Sequence, residues 1–164
     1  RSPFRNNVTS FTIIKKKGKF HKTLAIDEAT KSIKDGNSIV FLTDLHLTAP
    51  HDIFESVRKH TIKGLMAFTP FTFRLSHCSR PPTEQSPIVN GHWETGGFGI
   101  FSTYKSDWDN FGGVNVKEYK HKWGGEDWEM VDRVLAKGIE IELQRLPNFY
   151  HFYHDKQGMW QEAR

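Results

Sequence analysis

The stretch Trp123 to Glu129, with the sequence WGGEDWE, decides how the rest of this chain is interpreted. Two adjacent glycines permit a sharp turn, because no Cβ limits φ or blocks the approach of a ligand. The carboxylates Glu126 and Asp127 follow directly, and apolar residues then recur at helical spacing up to Gly138. The pattern predicts that both acids lie in the first turn of a helix, where the macrodipole favours their ionised form.

Two interpretations of this stretch are open. Acidic residues are common in the first turn of a helix, and on their own they indicate only a stable helix start. Trp123 changes the balance, because a flat aromatic ring beside paired acids suits a sugar. The C–H face of a pyranose stacks on such a ring, and its hydroxyl groups bond to the carboxylates.

Length and composition limit the classes of protein that fit. The 164 residues correspond to about one domain. The longest apolar run, Ile39 to Leu42, is far too short to span a bilayer, so any membrane attachment is expected outside this chain. The net charge of +4 includes a lysine cluster at residues 15–19, which favours a solvated turn over a polyanion site. A nucleic-acid binder stays as a third hypothesis, but no recognisable module for nucleic acid accompanies the lysines, so no nucleic-acid partner is expected.

Apolar periodicity predicts alternating helices and strands, and therefore an α/β fold with a mixed sheet. Asp52 is the expected N-cap of the second helix and Gly64 its stop, while Pro70 is expected to interrupt the third strand. The strand at residues 38–43 is expected to be buried on both faces. Predicted helices cover about residues 22–34, 52–63, 106–111 and 126–137, and predicted strands cover 11–15, 38–43, 65–75, 100–104 and 139–144.

Four side chains form a candidate metal site. Asp44 and His46 flank one residue at the end of a predicted strand, so an extended backbone points both to the same side. A carboxylate and an imidazole so placed can share Mn²⁺, although a hydrogen-bonding role at the strand end is the more common explanation for a lone D-x-H. His151 and His154 are spaced to meet on a helix or turn but to point apart on a strand, and each could instead be a packed structural histidine.

Five motifs in order resemble those of β-1,4-N-acetylgalactosaminyltransferases, which belong with the chondroitin synthase and β-1,4-galactosyltransferase group of inverting glycosyltransferases. The match covers about residues 19–160. It implies a GT-A-like nucleotide-diphospho-sugar transferase fold that lacks its first nucleotide-binding strand. Residues 1–164 would then be a single catalytic domain, the C-terminal portion of a longer one. The motifs lie at residues 40–46, 97–101, 111–113, 123–127 and 149–156.

The resemblance implies a role for each candidate near the donor diphosphate. Asp44 to His46 takes the place of the family's D-x-D motif, whose last member binds Mn²⁺, and that member is His46 here. His154, and with less support His151, matches the downstream metal positions. Asp44 is implied in binding the donor.

The same resemblance implies the catalytic groups. Asp127 matches the proposed general base, and Glu126 matches the residue that binds the acceptor sugar. Trp123, Gly124 and Gly125 match a small mobile loop that closes over the donor. Gly97 stands where galactose-transferring relatives carry a tyrosine, so its missing side chain implies room for the N-acetyl group of UDP-GalNAc.

The activity implied is an inverting, Mn²⁺-dependent transfer of GalNAc from UDP-GalNAc in β-1,4 linkage. The acceptor would be a GlcNAc-terminated glycan or the glucuronate end of a chondroitin chain, and the enzyme would be a type II membrane protein of the Golgi lumen. The alternative is a binding module of the same fold that recognises carbohydrate or UDP-sugar without turnover.

Overall fold

A computed structural model describes residues 10–15, 21–122 and 124–155, and in these ranges the chain is a mixed sheet with helices on both faces. No helix in the described ranges is long and apolar enough to cross a bilayer. The helices are α1 (Lys22–Ser32), α2 (Ile53–His60), α3 (Lys105–Phe111), α4 (Val116–Tyr119) and α5 (Glu126–Ala136). The strands are β1 (Ile39–Leu42), β2 (Leu47–Thr48), β3 (Met66–Leu75), β4 (Gly91–Trp93), β5 (Phe101–Tyr104) and β6 (Glu140–His151).

The six strands run in the order β1-β5-β3-β6-β2, and β4 adds to β3. Only β3 and β6 are parallel; the other pairs are antiparallel. Ala67 and Phe68 are both fully buried, but because successive side chains of a strand point to opposite faces they enter different cores. The core around Ala67 is filled from α3 and α5, and the core around Phe68 from α2. The predicted α/β class with a mixed sheet is confirmed.

Two strand predictions are wrong at the margins of the sheet. Residues 11–15 form no strand, and Phe11 is 82% exposed; a strand needs a neighbour for its backbone groups, and these residues pair with none in the described ranges. β1 is an edge strand in which only Val40 is fully buried, so it is not covered on both faces as predicted.

Pro70 and the aromatic C-terminal segment also depart from the predictions. β3 runs through Pro70, which pairs with Gln144 of β6, and the register shifts only between Phe71 and Phe73. β6 continues to His151 rather than ending near Gln144, because its second half gains β2 as a partner.

The predicted ends of α2 need correction as well. The helix ends with Thr61 as C-cap, three residues before Gly64, whose φ of 72° belongs to the turn that leads into β3. Asp52 occupies the N-cap position, but its side chain makes no capping hydrogen bond. The short elements β2, β4 and α4 were not predicted, because two to four residues are too few to show a period.

The strand directions bring several predicted site segments to one edge of the sheet. Leu42 at the end of β1 pairs with Phe101 at the start of β5, so the D-x-H segment and the glycine-rich segment are neighbours. β3 is antiparallel to β5 and parallel to β6, and the C-terminal end of β6 therefore points to the same edge. This edge carries the candidate site.

Candidate functional site

Three histidines form a cluster at this edge. His46 and His151 are 105 residues apart in sequence, yet their Nε2 atoms are 2.9 Å apart. The His154 ring lies 4.4 Å from that of His46, centroid to centroid. One ring nitrogen from each of the three histidines lies within 4.8 Å of the others. The chain achieves this because β6 ends at His151, so the next three residues leave the strand and bring His154 back towards His46.

The surroundings keep two of these imidazoles neutral. Burial lowers the pKa of His151 to about 4, and the nearby Arg74 guanidinium contributes in the same direction. Burial also lowers the pKa of His46, while the Asp44 carboxylate opposes that shift. A neutral imidazole keeps a free lone pair, which is the form that binds a metal ion.

Arg74 and Glu94 are neighbours of the cluster that sequence reasoning missed. Arg74 pairs with His151 across β3 and β6, and its Nη1 donates to both carboxylate oxygens of Glu94 at 2.9 and 3.1 Å. Arg74 lies in β3 and Glu94 directly after β4, 20 positions apart, so no local spacing could have revealed the pair. This ion pair lies beside the histidines, and its two charges act on the pKa of His151 in opposite directions, with the larger effect from Arg74.

The residues present fit a divalent cation. Metal–imidazole bonds of about 2.0–2.1 Å require ligand nitrogens to lie close together, and one nitrogen of each ring lies within 4.8 Å of the others. The buried Nδ1 of His151 has no hydrogen-bond partner among the described residues, which leaves this ring unsatisfied without a further ligand. Asp44 acts on His46 through its charge but does not belong to the cluster of ligand atoms.

Asp127 lies beside the glycine-rich segment that precedes β5. Its Oδ2 accepts a hydrogen bond from the Phe98 backbone N–H at 2.7 Å, and its Oδ1 accepts one from Trp128 N–H at 3.0 Å. A Cβ placed on Gly97, whose φ is +100°, would lie 3.3 Å from Asp127 Oδ2. The predicted base and the predicted donor-pocket glycine are therefore direct neighbours, although 30 positions separate them in the sequence.

An exposed aromatic surface borders Asp127. The Trp128 side chain is 55% exposed and meets Phe98 edge to face, with ring centroids 5.0 Å apart. An exposed indole of this kind can stack on the C–H face of a sugar. Trp123, the aromatic residue singled out from the sequence, lies outside the described residues.

Glu126 is placed differently from its neighbour. It is 7% exposed; its Oε1 accepts from Lys22 Nζ at 3.1 Å, and its Oε2 accepts from Gly124 N–H at 2.9 Å. Gly124 and Gly125 have φ values of 92° and 86°, so the predicted sharp turn exists and needs glycine at both positions. Lys22 was not predicted as part of the site, because it is 104 residues away in sequence.

Comparison with known proteins assigns most of the chain to one family. The family described as chondroitin N-acetylgalactosaminyltransferase matches residues 5–159. N-acetyl-beta-glucosaminyl-glycoprotein 4-beta-N-acetylgalactosaminyltransferase 1 of Mus musculus is 45% identical over 92% of this chain and 14% of its own length. Chondroitin sulfate N-acetylgalactosaminyltransferase 1 of Homo sapiens is 27% identical over 93% of this chain and 30% of its own length. This chain therefore spans less than a third of either relative.

Proposed function

Since this chain belongs to the chondroitin N-acetylgalactosaminyltransferase family of glycosyltransferases, we propose that the full-length protein moves GalNAc from UDP-GalNAc to a glycan in β-1,4 linkage with inversion. A GlcNAc-terminated acceptor is the first choice, because the mouse relative at 45% identity has that specificity in its name. The glucuronate end of a chondroitin chain is the second, after the names of more distant relatives.

One observation carries the proposal: Asp127 faces the loop that contains Gly97. The carboxylate is held by the Phe98 amide, and the adjacent glycine adds no side chain to the space beside it. A base and a cleared space side by side are what a single displacement requires, since the acceptor hydroxyl must lie close to the anomeric carbon of the donor.

In this reaction Asp127 accepts the proton of the acceptor hydroxyl as that oxygen attacks the donor sugar. Two backbone N–H groups bond to the carboxylate in the first turn of α5 and fix its direction. Trp128 offers a face on which the acceptor sugar stacks. An inverting transfer needs no second carboxylate as nucleophile, so Glu126 is free to serve another purpose.

The histidine cluster would hold a divalent cation, with Mn²⁺ as our proposal. His46, His151 and His154 supply the ligand nitrogens and Asp44 a nearby negative charge. When bound, such an ion neutralises the charge that develops on the departing diphosphate. Three imidazoles also suit Zn²⁺ or Fe²⁺, and oxygen ligands from the diphosphate would shift the preference towards Mn²⁺.

The proposal also includes the fold type of the chain and the cellular compartment of the full-length protein. We place the chain in a GT-A-like fold, as the C-terminal portion of a longer catalytic domain that lies in the Golgi lumen. One edge of β1 pairs with no strand in the described ranges, and further strands of that domain can add to the sheet there.

A donor screen tests the proposed function. The full-length protein would be assayed with UDP-GalNAc, UDP-GlcNAc and UDP-galactose, each with Mn²⁺ or with EDTA, on GlcNAc and chondroitin oligosaccharides. We expect transfer from UDP-GalNAc that is lost with EDTA and restored by Mn²⁺. Binding of UDP-GalNAc without transfer to any acceptor would favour the non-catalytic binding module instead.

Gly97→Ala is expected to lower kcat/KM for UDP-GalNAc by about 10–100-fold. Its Cβ would enter the space next to Asp127 Oδ2, and a φ of +100° strains any residue with a side chain. Gly96→Ala is the matched control, because a Cβ there has nothing within 4 Å, and its kinetics should equal those of the wild type. If Gly97 makes room for the N-acetyl group, Gly97→Ala should lower kcat/KM less for UDP-galactose than for UDP-GalNAc. An equal loss for both donors would mean that Gly97 matters only because it leaves space beside Asp127.

A further inference from the structure

Lys22 lies next to the Gly124–Gly125 turn of the candidate site, and the contacts of its neighbour fix its backbone there. It is the first residue of α1, and its neighbour Thr23 is 2% exposed and donates a hydrogen bond to the Tyr119 carbonyl at 3.0 Å. The Tyr119 hydroxyl oxygen in turn lies 3.7 Å from the position of a Cβ on Gly125. Through these contacts with Tyr119, the start of α1 lies next to the Gly124–Gly125 turn.

From this position Lys22 reaches both segments that form the candidate site. Its Nζ donates to Glu126 Oε1 at 3.1 Å and lies 3.9 Å from a Cβ position on Gly99. Glu126 belongs to the segment with Asp127, and Gly99 to the segment with Gly97. The ammonium group is therefore bonded to the first segment and lies beside the second.

The Lys22–Glu126 ion pair is less exposed to solvent than an ordinary surface pair. The side chain of Glu126 is 9% exposed and that of Lys22 is 32% exposed, so loss of the lysine would leave a nearly buried carboxylate without its cation. Lys31 and Asp27 form a similar pair in the same helix, but their side chains are 72% and 23% exposed. Pairs as exposed as that one contribute little.

Glu126 connects Lys22 to the Gly124–Gly125 turn, because its two oxygens bond to different partners. Its second oxygen accepts the Gly124 N–H at 2.9 Å, and this bond selects one conformation of two successive glycines that otherwise have many. Asp127 follows immediately, so the direction of its carboxylate depends on that conformation. Glu126 keeps further lone pairs for an acceptor sugar, because a carboxylate accepts about four hydrogen bonds.

We propose that Lys22 is a positioning residue for sugar transfer: through Glu126 it holds the Gly124–Gly125 turn in the conformation that directs Asp127 towards the Gly97 loop. The proposal rests on the proposed function in that Asp127 is taken as the base. In this role Lys22 acts through Glu126 and not through a contact of its own with the donor or the acceptor.

Kinetics of the full-length protein test the proposal. Lys22→Met should lower kcat by about 10–100-fold and leave KM for UDP-GalNAc within about twofold, because the base is misplaced while donor contacts remain. Lys22→Arg keeps the cation and should recover most of the rate. Lys31→Met makes the same change at the exposed pair of the same helix and should match the wild type. A kcat for Lys22→Met equal to that of Lys31→Met would overturn the proposal.

A second measurement separates this proposal from the proposed function. Amide hydrogen exchange of the peptide containing Gly124 should quicken in Lys22→Met and stay at the wild-type rate in Lys31→Met, whether or not the protein transfers sugar. Unchanged exchange would overturn the role of Lys22 even in an active enzyme. If Lys22→Met does not fold, Glu126→Ala, which removes the acceptor of the Gly124 N–H, should show the same faster exchange, and a wild-type rate in that variant would overturn the proposal.

Discussion

Asp127→Asn is expected to reduce sugar transfer by about 10²–10⁴-fold, the range that a general base contributes. Asparagine has nearly the same shape, and its side-chain oxygen can still accept the Phe98 N–H that Asp127 accepts at 2.7 Å. The turn and the helix start should therefore survive, and the losses are the proton acceptor and the hydrogen bond from Trp128 N–H at 3.0 Å, whose acceptor oxygen becomes an amide nitrogen. Single-turnover assays with UDP-GalNAc, together with calorimetric titration of UDP, would separate the chemical step from nucleotide binding.

Asp132→Asn is the matched control for this prediction. Asp132 lies in the same helix, α5, but on its exposed face, so the same chemical change there should leave transfer at the wild-type rate. UDP affinity should be nearly unchanged in both variants. Full turnover in Asp127→Asn would remove Asp127 from the mechanism, and a rate loss in Asp132→Asn would point to a general charge effect on the helix.

Removing a histidine of the cluster is expected to have the second largest effect. His46→Ala and His154→Ala should each weaken Mn²⁺ binding by more than about 100-fold, because loss of a ligand costs at least as much as loss of the groups that orient one. Transfer at low Mn²⁺ concentration should fall accordingly and recover in part at high concentration. Calorimetric titration of the full-length protein with MnCl₂, and with ZnCl₂ for comparison, measures the affinities directly.

His51→Ala serves as the control for the histidine variants. The His51 side chain is 93% exposed and is not a member of the cluster, so its loss should alter neither metal affinity nor transfer. His46 and His154 are better targets than His151, because His151 is 5% exposed and its truncation would also leave a cavity. Wild-type Mn²⁺ affinity in both His46→Ala and His154→Ala would refute a metal site at this cluster.

The sequence predicted the elements whose signals are local. Helix α5 follows from the glycine turn, the acids and the apolar spacing within 15 residues, and β3 from a run of apolar and β-branched residues. The motifs also led to the correct family, because their order along the chain is specific even where each one is weak. The false strand at residues 11–15 had the right local pattern but pairs with no strand in the described ranges.

Contacts between distant segments were beyond the sequence. The spacing of His151 and His154 predicts that they point apart on a strand, and only the end of β6 at His151 lets both approach His46. The pairs Arg74–Glu94 and Lys22–Glu126 have no signal at all in local spacing, since each joins two separate elements.

The sequence by itself determined which chemical groups are present and the conformation of most segments with a clear local pattern, because periodicity, glycine and charge act over a few residues. Tertiary structure alone decided which groups meet. The strand directions set one edge for the D-x-H, glycine-rich and C-terminal segments, and α1 placed a cation under the turn that carries Asp127. Those contacts depend on how the buried faces of sheet and helices pack together, a condition that involves the whole chain at once.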